Sequence, residues 1–165
     1  NKLGSIAVRH PGCYVVTDND IRSIEEKIVF TNGCFDILHK GHVEYLRKSK
    51  TYGTKLIVGL NSDRSTKLLK GSSRPVNNQE DRKALLLSLE FVDDVIVFDE
   101  PTPIELIKQI KPNIITKGGD YTVDQVVGND LVNQVIIIPF EEGYSTTQIL
   151  ENFEHYDAIF EQGFI

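Results

Sequence analysis

The segment Ile28-Val29-Phe30-Thr31-Asn32-Gly33-Cys34-Phe35-Asp36-Ile37-Leu38-His39-Lys40-Gly41-His42 changes character twice within 15 residues. Its first three side chains are β-branched or aromatic and suit a strand. Asn32-Gly33 then marks a turn. From Gly41 to Lys50 the chain carries Val43 and Leu46 among charges, which is a helical pattern. A strand that ends in a glycine turn and opens a helix predicts the first βα unit of a wound sheet.

Working outward, four more apolar runs follow: Lys55 to Leu60, Val92 to Phe98, Asn113 to Thr116 and Val135 to Ile138. Such runs are continuous rather than alternating, which suits strands buried on both faces of a parallel sheet. Between them Asn78 to Glu90 carries Ala84, Leu85, Leu87 and Leu89 behind a polar first turn. Thr102 to Lys111 has Pro103 at a tolerated early position and Pro112 as a stop. The expected fold class is α/β: a doubly wound, Rossmann-like parallel five-stranded sheet with helices on both faces. Lys67 to Asn78, rich in Gly, Ser, Asn and Pro, is expected to be a loop and a candidate lid.

Residues 1–26 hold short apolar runs broken by His10-Pro11-Gly12, with a short helix expected after Asp18 and Asp20 as its cap. Residues 151–165 form a C-terminal helix or tail, acidic with Phe153, Tyr156, Ile159, Phe160 and Phe164 interspersed. Two readings of it stand: an amphipathic helix packed on the domain or a neighbouring subunit, or a disordered end.

Length and composition set the outer bounds. With 165 residues, 40% of them hydrophobic and 25% charged, the chain is one ordinary globular domain. No apolar stretch is long enough for a membrane span, so no membrane partner is expected. The chain begins at Asn1 and contains no Met, the pattern of a processed chain or an excised segment. Cys13 and Cys34 are too few for a disulfide framework or a zinc site, which suits a reducing, cytoplasmic compartment.

The net charge of −6 argues against a general nucleic-acid binder, but it conceals an asymmetry. Residues 1–39 carry −1, residues 40–83 carry +7 and residues 84–165 carry −12. The basic block is a local anion site, a polyanion-binding face or a solvated surface.

His39 and His42 lie three apart at the expected helix start, so they can face the same way. Gly41 between them removes a side chain that would keep a phosphate from the backbone. A helix amino terminus offers free N–H groups to an anion, and two imidazoles can donate to charge developing on phosphoryl oxygens. Either histidine alone reads as a cap or a satisfied polar group. The coincidence of the pair, the glycine and the preceding turn favours a phosphate site. Two histidines are too few for a catalytic zinc, and no metal ligand set is expected.

Further motifs fall at strand ends. Lys117-Gly118-Gly119-Asp120 follows the fourth strand, where the glycines permit a base or ribose to approach. Lys117 would reach a phosphate there, and Asp120 a ribose hydroxyl or a Mg²⁺ shell. A solvated β-turn is the competing reading. Asn61-Ser62-Asp63 ends the second strand, and Asp63 is either a ligand contact or a helix cap. Ser145-Thr146-Thr147 opens the last helix, where hydroxyls ordinarily cap. Lys70, Arg74 and Arg82 are phosphate contacts or solvated charges. Phe35 is a core aromatic or a site-lining one, and Cys34 reads as a small buried side chain.

Gly33-Cys34-Phe35-Asp36-Ile37-Leu38-His39-Lys40-Gly41-His42 resembles the G-x-F-D-x-x-H-x-G-H signature of the cytidylyltransferase-like nucleotidyltransferases. The resemblance continues through Asn61-Ser62-Asp63, Lys70-Gly71, Arg74-Pro75-Val76-Asn77, Glu80-Asp81-Arg82, Lys117-Gly118-Gly119-Asp120-Tyr121 and Ser145-Thr146-Thr147. Within that family it is nearest to the D-glycero-β-D-manno-heptose 1-phosphate adenylyltransferase domain, which makes ADP-heptose for lipopolysaccharide. That domain is often fused behind a ribokinase-like heptose 7-phosphate kinase. The resemblance implies that residues 27–150 form the nucleotidyltransferase domain and that residues 1–26 are a linker or the remnant of a kinase domain.

It further implies that AMP passes from ATP to a heptose 1-phosphate, with Mg²⁺ neutralising the triphosphate. His39 would orient phosphate and His42 would stabilise the transferring phosphoryl group. Thr31, Asn32, Gly33, Cys34 and Phe35 would line the nucleotide site, together with Gly41, Asn61, Asp63, Arg82, Lys117, Gly118 and Asp120. Ser145, Thr146 and Thr147 would hold the β- and γ-phosphates. Lys70 would act near the transferred phosphate, with Arg74 on the substrate phosphate, and a homodimer is implied. The shared signature leaves open a cytidylyltransferase acting on glycerol 3-phosphate or another small phosphate. A non-catalytic nucleotide-binding module and a polyanion-binding module are the alternatives of another class.

Overall fold

The structure is a computed structural model that describes residues 26–119, 121–139, 145–147 and 149–152. The expected helix after Asp18, Cys13, Asp120 and the tail aromatics from Phe153 onward lie outside the described residues. The elements run β1 (Ile28–Gly33), α1 (Lys40–Lys50), β2 (Lys55–Asn61), α2 (Asp63–Lys70), α3 (Gln79–Leu87), β3 (Asp94–Phe98), α4 (Ile104–Ile110), β4 (Ile114–Gly118) and β5 (Gln134–Ile138). Two 3₁₀ turns, Val123–Gln125 and Asn129–Leu131, join β4 to β5.

All strand pairings are parallel, in the order β3-β2-β1-β4-β5. The apolar runs are continuous because both faces of this sheet are covered. Val29, Leu56, Val58, Leu60, Val95 and Ile114 point to one face, where they pack with Leu46 of α1 and Leu86 of α3. Their neighbours Phe30, Ile57, Phe98 and Ile115 point to the other, against Leu106 and Ile107 of α4 and Val126. Period-2 alternation thus separates two cores rather than a core from solvent.

The chain winds outward from β1 to β2 to β3, then crosses back to β4 on the other side of β1. That reversal makes the carboxyl ends of β1 and β4 the switch point, where open α/β sheets bind ligands. The β1–β4 pairing stops at Phe30↔Ile115, although both strands continue. By contrast β1–β2 pairing runs to Gly33↔Leu60 and β4–β5 pairing to Gly118↔Ile138. The two central strands therefore splay, and a crevice opens between them. The Tyr45 hydroxyl of α1 lies at its base, 2.6 Å from Thr31 Oγ1 and 3.4 Å from Thr116 Oγ1. Thr116 Oγ1 donates to Ser49 Oγ at 2.9 Å, so α1 is fastened under the crevice by a buried polar network.

The helices adjust several sequence expectations. Lys67 to Lys70 belong to α2, so the loop is confined to residues 71–78. Ser62, not Asp63, caps α2, its hydroxyl accepting from the Ser65 N–H at 3.0 Å. Pro103 stands before α4 as its cap residue rather than inside the first turn, and Lys111 ends the helix in the left-handed region ahead of Pro112.

Gly53, between α1 and β2, is demanded by close approach rather than by its torsion angles. A Cβ there would lie 2.3 Å from the Lys27 carbonyl oxygen and 2.7 Å from Val29 Cγ2. Because the obstacle is backbone, Gly53→Ala is expected to destabilise the fold by about 1–3 kcal/mol. Urea denaturation measures it, and an unchanged midpoint would contradict this packing.

Candidate active site

The signature loop makes two unusual turns. Phe35 has φ +46° and Ile37 φ +51°, the left-handed region in which a bulky side chain is strained. Such conformations persist only where surrounding structure over-determines them. Asp36, between them, supplies that restraint. Its buried carboxylate accepts the Arg74 Nε–H at 2.7 Å and the N–H groups of Val76 at 2.9 Å and Asn77 at 3.1 Å. Its own carbonyl accepts the Thr146 hydroxyl at 2.9 Å. One residue thereby ties the signature loop to residues 71–78 and to the last described helical segment. Burial alone would push the Asp36 carboxyl up, but the N–H donors of Val76 and Asn77 and the Arg74 guanidinium outweigh it and hold it below its usual range.

With the loop fixed, His39 becomes the residue preceding α1 and His42 lies in its first turn. The two imidazoles stack with centroids 3.8 Å apart, and the Phe35 ring meets His42 edge-on at 5.4 Å. His39 makes no capping bond. Among the described residues, Nδ1 of both histidines is buried with no hydrogen-bond partner. Burial lowers the pKa of His39. For His42, burial and the neighbouring His39 lower it from its ordinary 6.5 to about 4. At neutral pH the site therefore presents two uncharged imidazoles at a helix start, held by ring packing and available to an anion.

A sign can be attached to these shifts. Below pH 6.5 the unfolded chain protonates His42 while the folded chain does not, until about pH 4. Folding stability contributed there is complete above pH 6.5 and lost as pH falls toward 4. Asp36, also depressed, adds stability present above its ordinary 3.8 and lost below it. Urea midpoints are expected to fall between pH 7 and 4.5 in the native chain and to fall less in His42→Gln. Equal slopes would argue against a buried neutral His42.

A model of the family described as Cytidylyltransferase-like matches residues 30–152. The chain belongs to the cytidylyltransferase-like family. It is 58% identical over 133 residues to the bifunctional protein HldE of Wolinella succinogenes, covering 81% of this chain and 28% of that protein. It is 55% identical over 130 residues to the bifunctional protein HldE of Helicobacter pylori, covering 79% and 28%. The chain thus spans less than a third of the length of these curated relatives. Among solved structures, a lipopolysaccharide core biosynthesis protein from Thermoplasma volcanium superposes with a TM-score of 0.58 at 32% identity, covering 73% of this chain and all of that one. A pantoate-beta-alanine ligase from Francisella tularensis, at 20% identity and a TM-score of 0.52, shares the fold.

Against this family's signature, the predicted site residues divide into those that face the crevice and those that build it. His39, Gly41, His42, Asn32, Gly33, Lys117 and Gly118 gather at the carboxyl ends of β1 and β4. Lys117 Nζ donates to Asn32 Oδ1 at 3.2 Å across the splayed strands. Ser145 precedes the helical residues 146 and 147, and Thr146 anchors that segment on Asp36. Cys34 is a free, half-buried thiol in the same loop.

Several of the remaining residues are engaged within the scaffold. Arg82 is not a solvated charge: its side chain is 0% exposed. Nε donates to the Asn77 carbonyl at 2.9 Å, Nη1 to those of Cys34 at 2.6 Å and Asn61 at 2.9 Å, and Nη2 to Asp63 at 2.8 Å. Asp63 is accordingly the partner of Arg82. Asn61 is buried, with its amide on Ser65 Oγ at 2.9 Å. Thr31 turns its hydroxyl to Tyr45 beneath the crevice. Arg74 is engaged by Asp36 through Nε. Phe35 is a core residue that also supports His42. Lys70 is the exposed last residue of α2, with no bond to the signature loop among the described residues.

Sequence reasoning passed over Asp36 itself. The available signal was a lone carboxylate among Phe35, Ile37 and Leu38, in a loop where an acid has no solvent-facing reason to sit.

Proposed function

We propose that this chain is a nucleotidyltransferase that passes AMP from ATP to a heptose 1-phosphate, releasing pyrophosphate and giving ADP-heptose. The observation that carries the reading is the stacked, neutral His39–His42 pair at the start of α1, beside a crevice at the switch point. A phosphate oxygen of the sugar attacks the α-phosphorus of ATP in line. The P–O bond to the β-phosphate breaks, and its electron pair leaves with pyrophosphate. No side chain need form a covalent intermediate, so catalysis rests on positioning and on donors aimed at developing charge.

His39 orients the phosphates and His42 donates to the α-phosphoryl oxygens. The N–H groups of the Gly33-Cys34-Phe35 turn and of Gly41 line the nucleotide site. Ser145, Thr146 and Thr147 receive the β- and γ-phosphates at their helix start, with Lys70 brought in from the end of α2. Gly118 and Asp120 serve the ribose. Among the described residues no three His, Cys, Asp or Glu side chains converge. A Mg²⁺ ion held by phosphate oxygens and water would neutralise the triphosphate.

The heptose acceptor is supported by the HldE relatives at 53% to 58% identity and by the lipopolysaccharide-related structural neighbour. Since those relatives are bifunctional and much longer, the reading extends to a chain that works beside a heptose 7-phosphate kinase unit, as a cytoplasmic homodimer. Pyrophosphate release with the four nucleoside triphosphates against heptose 1-phosphate, glycerol 3-phosphate and ethanolamine phosphate tests it. Activity is expected with ATP and heptose 1-phosphate. Activity with CTP and a small phosphate instead would overturn the heptose assignment, and none with any pair would overturn nucleotidyl transfer.

A further inference from the structure

Lys117 is the one cation among the described residues placed in the β1–β4 crevice without a carboxylate partner. Its ammonium donates to the neutral Asn32 Oδ1 at 3.2 Å and lies 5.4 Å from the centroid of the Tyr121 ring. Burial pushes its pKa down, and among the described residues only the neighbouring Cys34 thiol works against that shift. Arg74 and Arg82, the other basic groups nearby, are already paired with Asp36 and Asp63. Tyr121, beside the ammonium, is 47% exposed.

The side of the sheet on which Lys117 lies is informative. Thr31 and Thr116 turn toward α1, because both hydroxyls meet Tyr45. Successive strand residues alternate, so Asn32 and Lys117, one position further along, turn toward the opposite face. Asn32 Cβ indeed lies with the Phe30 ring around Gly59, on the α4 side. The histidines belong to α1. The crevice is therefore flanked by neutral donors on one side and, on the other, by an ammonium with no carboxylate partner among the described residues. In-line transfer needs its leaving group and its nucleophile on opposite sides of the α-phosphorus.

We propose that Lys117 and Tyr121 form the acceptor subsite, Lys117 binding the phosphate of the incoming sugar phosphate and the exposed Tyr121 ring packing against the sugar. This rests on the nucleotidyl-transfer reading above and moves Lys117 from the nucleotide to the acceptor. Asn32 holds the ammonium in place and keeps its amide N–H₂ as a further donor to the phosphate.

Steady-state kinetics of Lys117→Met, Lys117→Arg and Tyr121→Ala in the 165-residue chain provide the test. Loss of a charge-assisted contact is expected to raise the KM for heptose 1-phosphate roughly 10- to 100-fold in Lys117→Met, with the KM for ATP changed less than about 2-fold. Lys117→Arg is expected to recover part of that loss and Tyr121→Ala to raise the same KM. A rise in the ATP KM instead, or no change in either, overturns the proposal. A second readout needs no turnover: labelling of Lys117 by an amine-reactive reagent, followed by mass spectrometry. Heptose 1-phosphate is expected to protect Lys117 and ATP alone is not, whereas protection by ATP alone assigns the residue to the nucleotide. If the native chain turns over only another phosphate acceptor, the heptose reading fails by itself, and the same KM comparison on that acceptor decides the role of Lys117.

Discussion

His42→Ala is expected to lower the turnover of pyrophosphate release by about 10²–10³-fold, the usual cost of removing one preorganised donor from a developing negative charge. The fold should persist. Alanine suits the first turn of α1, and His42 contributes ring contacts to His39 and Phe35 but no hydrogen bond that holds the helix. Turnover and a urea melt of the same preparation separate the two effects. Near-normal turnover in a folded variant would refute the proposed role. The pH profile adds a sharper criterion. With a pKa of about 4, His42 is neutral throughout the range from 5.5 to 8 and donates through its single N–H. Turnover should therefore show no limb near 6.5 from this residue, and a limb there that vanishes in His42→Ala would mean that the imidazolium is the working form.

Arg82→Met should cost about 3–5 kcal/mol of folding stability, because three backbone carbonyls lose a buried donor at about 1–3 kcal/mol each. The variant leaves Asp63 without its cation and strands the carbonyls of Cys34, Asn61 and Asn77. These four acceptors come from the signature loop, the end of β2, the start of α2 and the loop before α3, so the damage should reach the active site through its scaffold. Arg82→Lys should recover little, because an ammonium cannot reproduce the planar fork that reaches all of them. Equilibrium urea unfolding measures the loss. A normal midpoint combined with a raised KM for ATP would instead return Arg82 to the nucleotide.

Much of this architecture is written locally. Apolar runs at Ile28, Lys55, Val92, Asn113 and Val135 announce strands because a strand covered on both faces needs no polar alternation. The His39-Lys40-Gly41-His42 spacing announces an anion site because it places two donors around a bare backbone position. What the local pattern does not carry is a partner far along the chain. Arg82 has the composition of a surface charge, and only the convergence of residues 34, 61, 63 and 77 around it makes burial possible. Arg74 has the look of a phosphate ligand until Asp36, 38 positions earlier, is found against it.

The basic block of residues 40–83 shows the same division. Its +7 charge was compatible with a small-molecule anion site, yet two of its arginines are internal struts. The ammonium proposed to meet the incoming sugar phosphate, Lys117, lies in the acidic remainder of the chain. By itself the sequence determined the parallel α/β class, the position of the first βα turn and the histidine pair, because each depends on residues within a few positions of one another. Only the tertiary structure decided which charges are available to a ligand. Availability depends on whether a carboxylate or carbonyl from another element has already met the charge, and a linear chain carries no record of that until it folds.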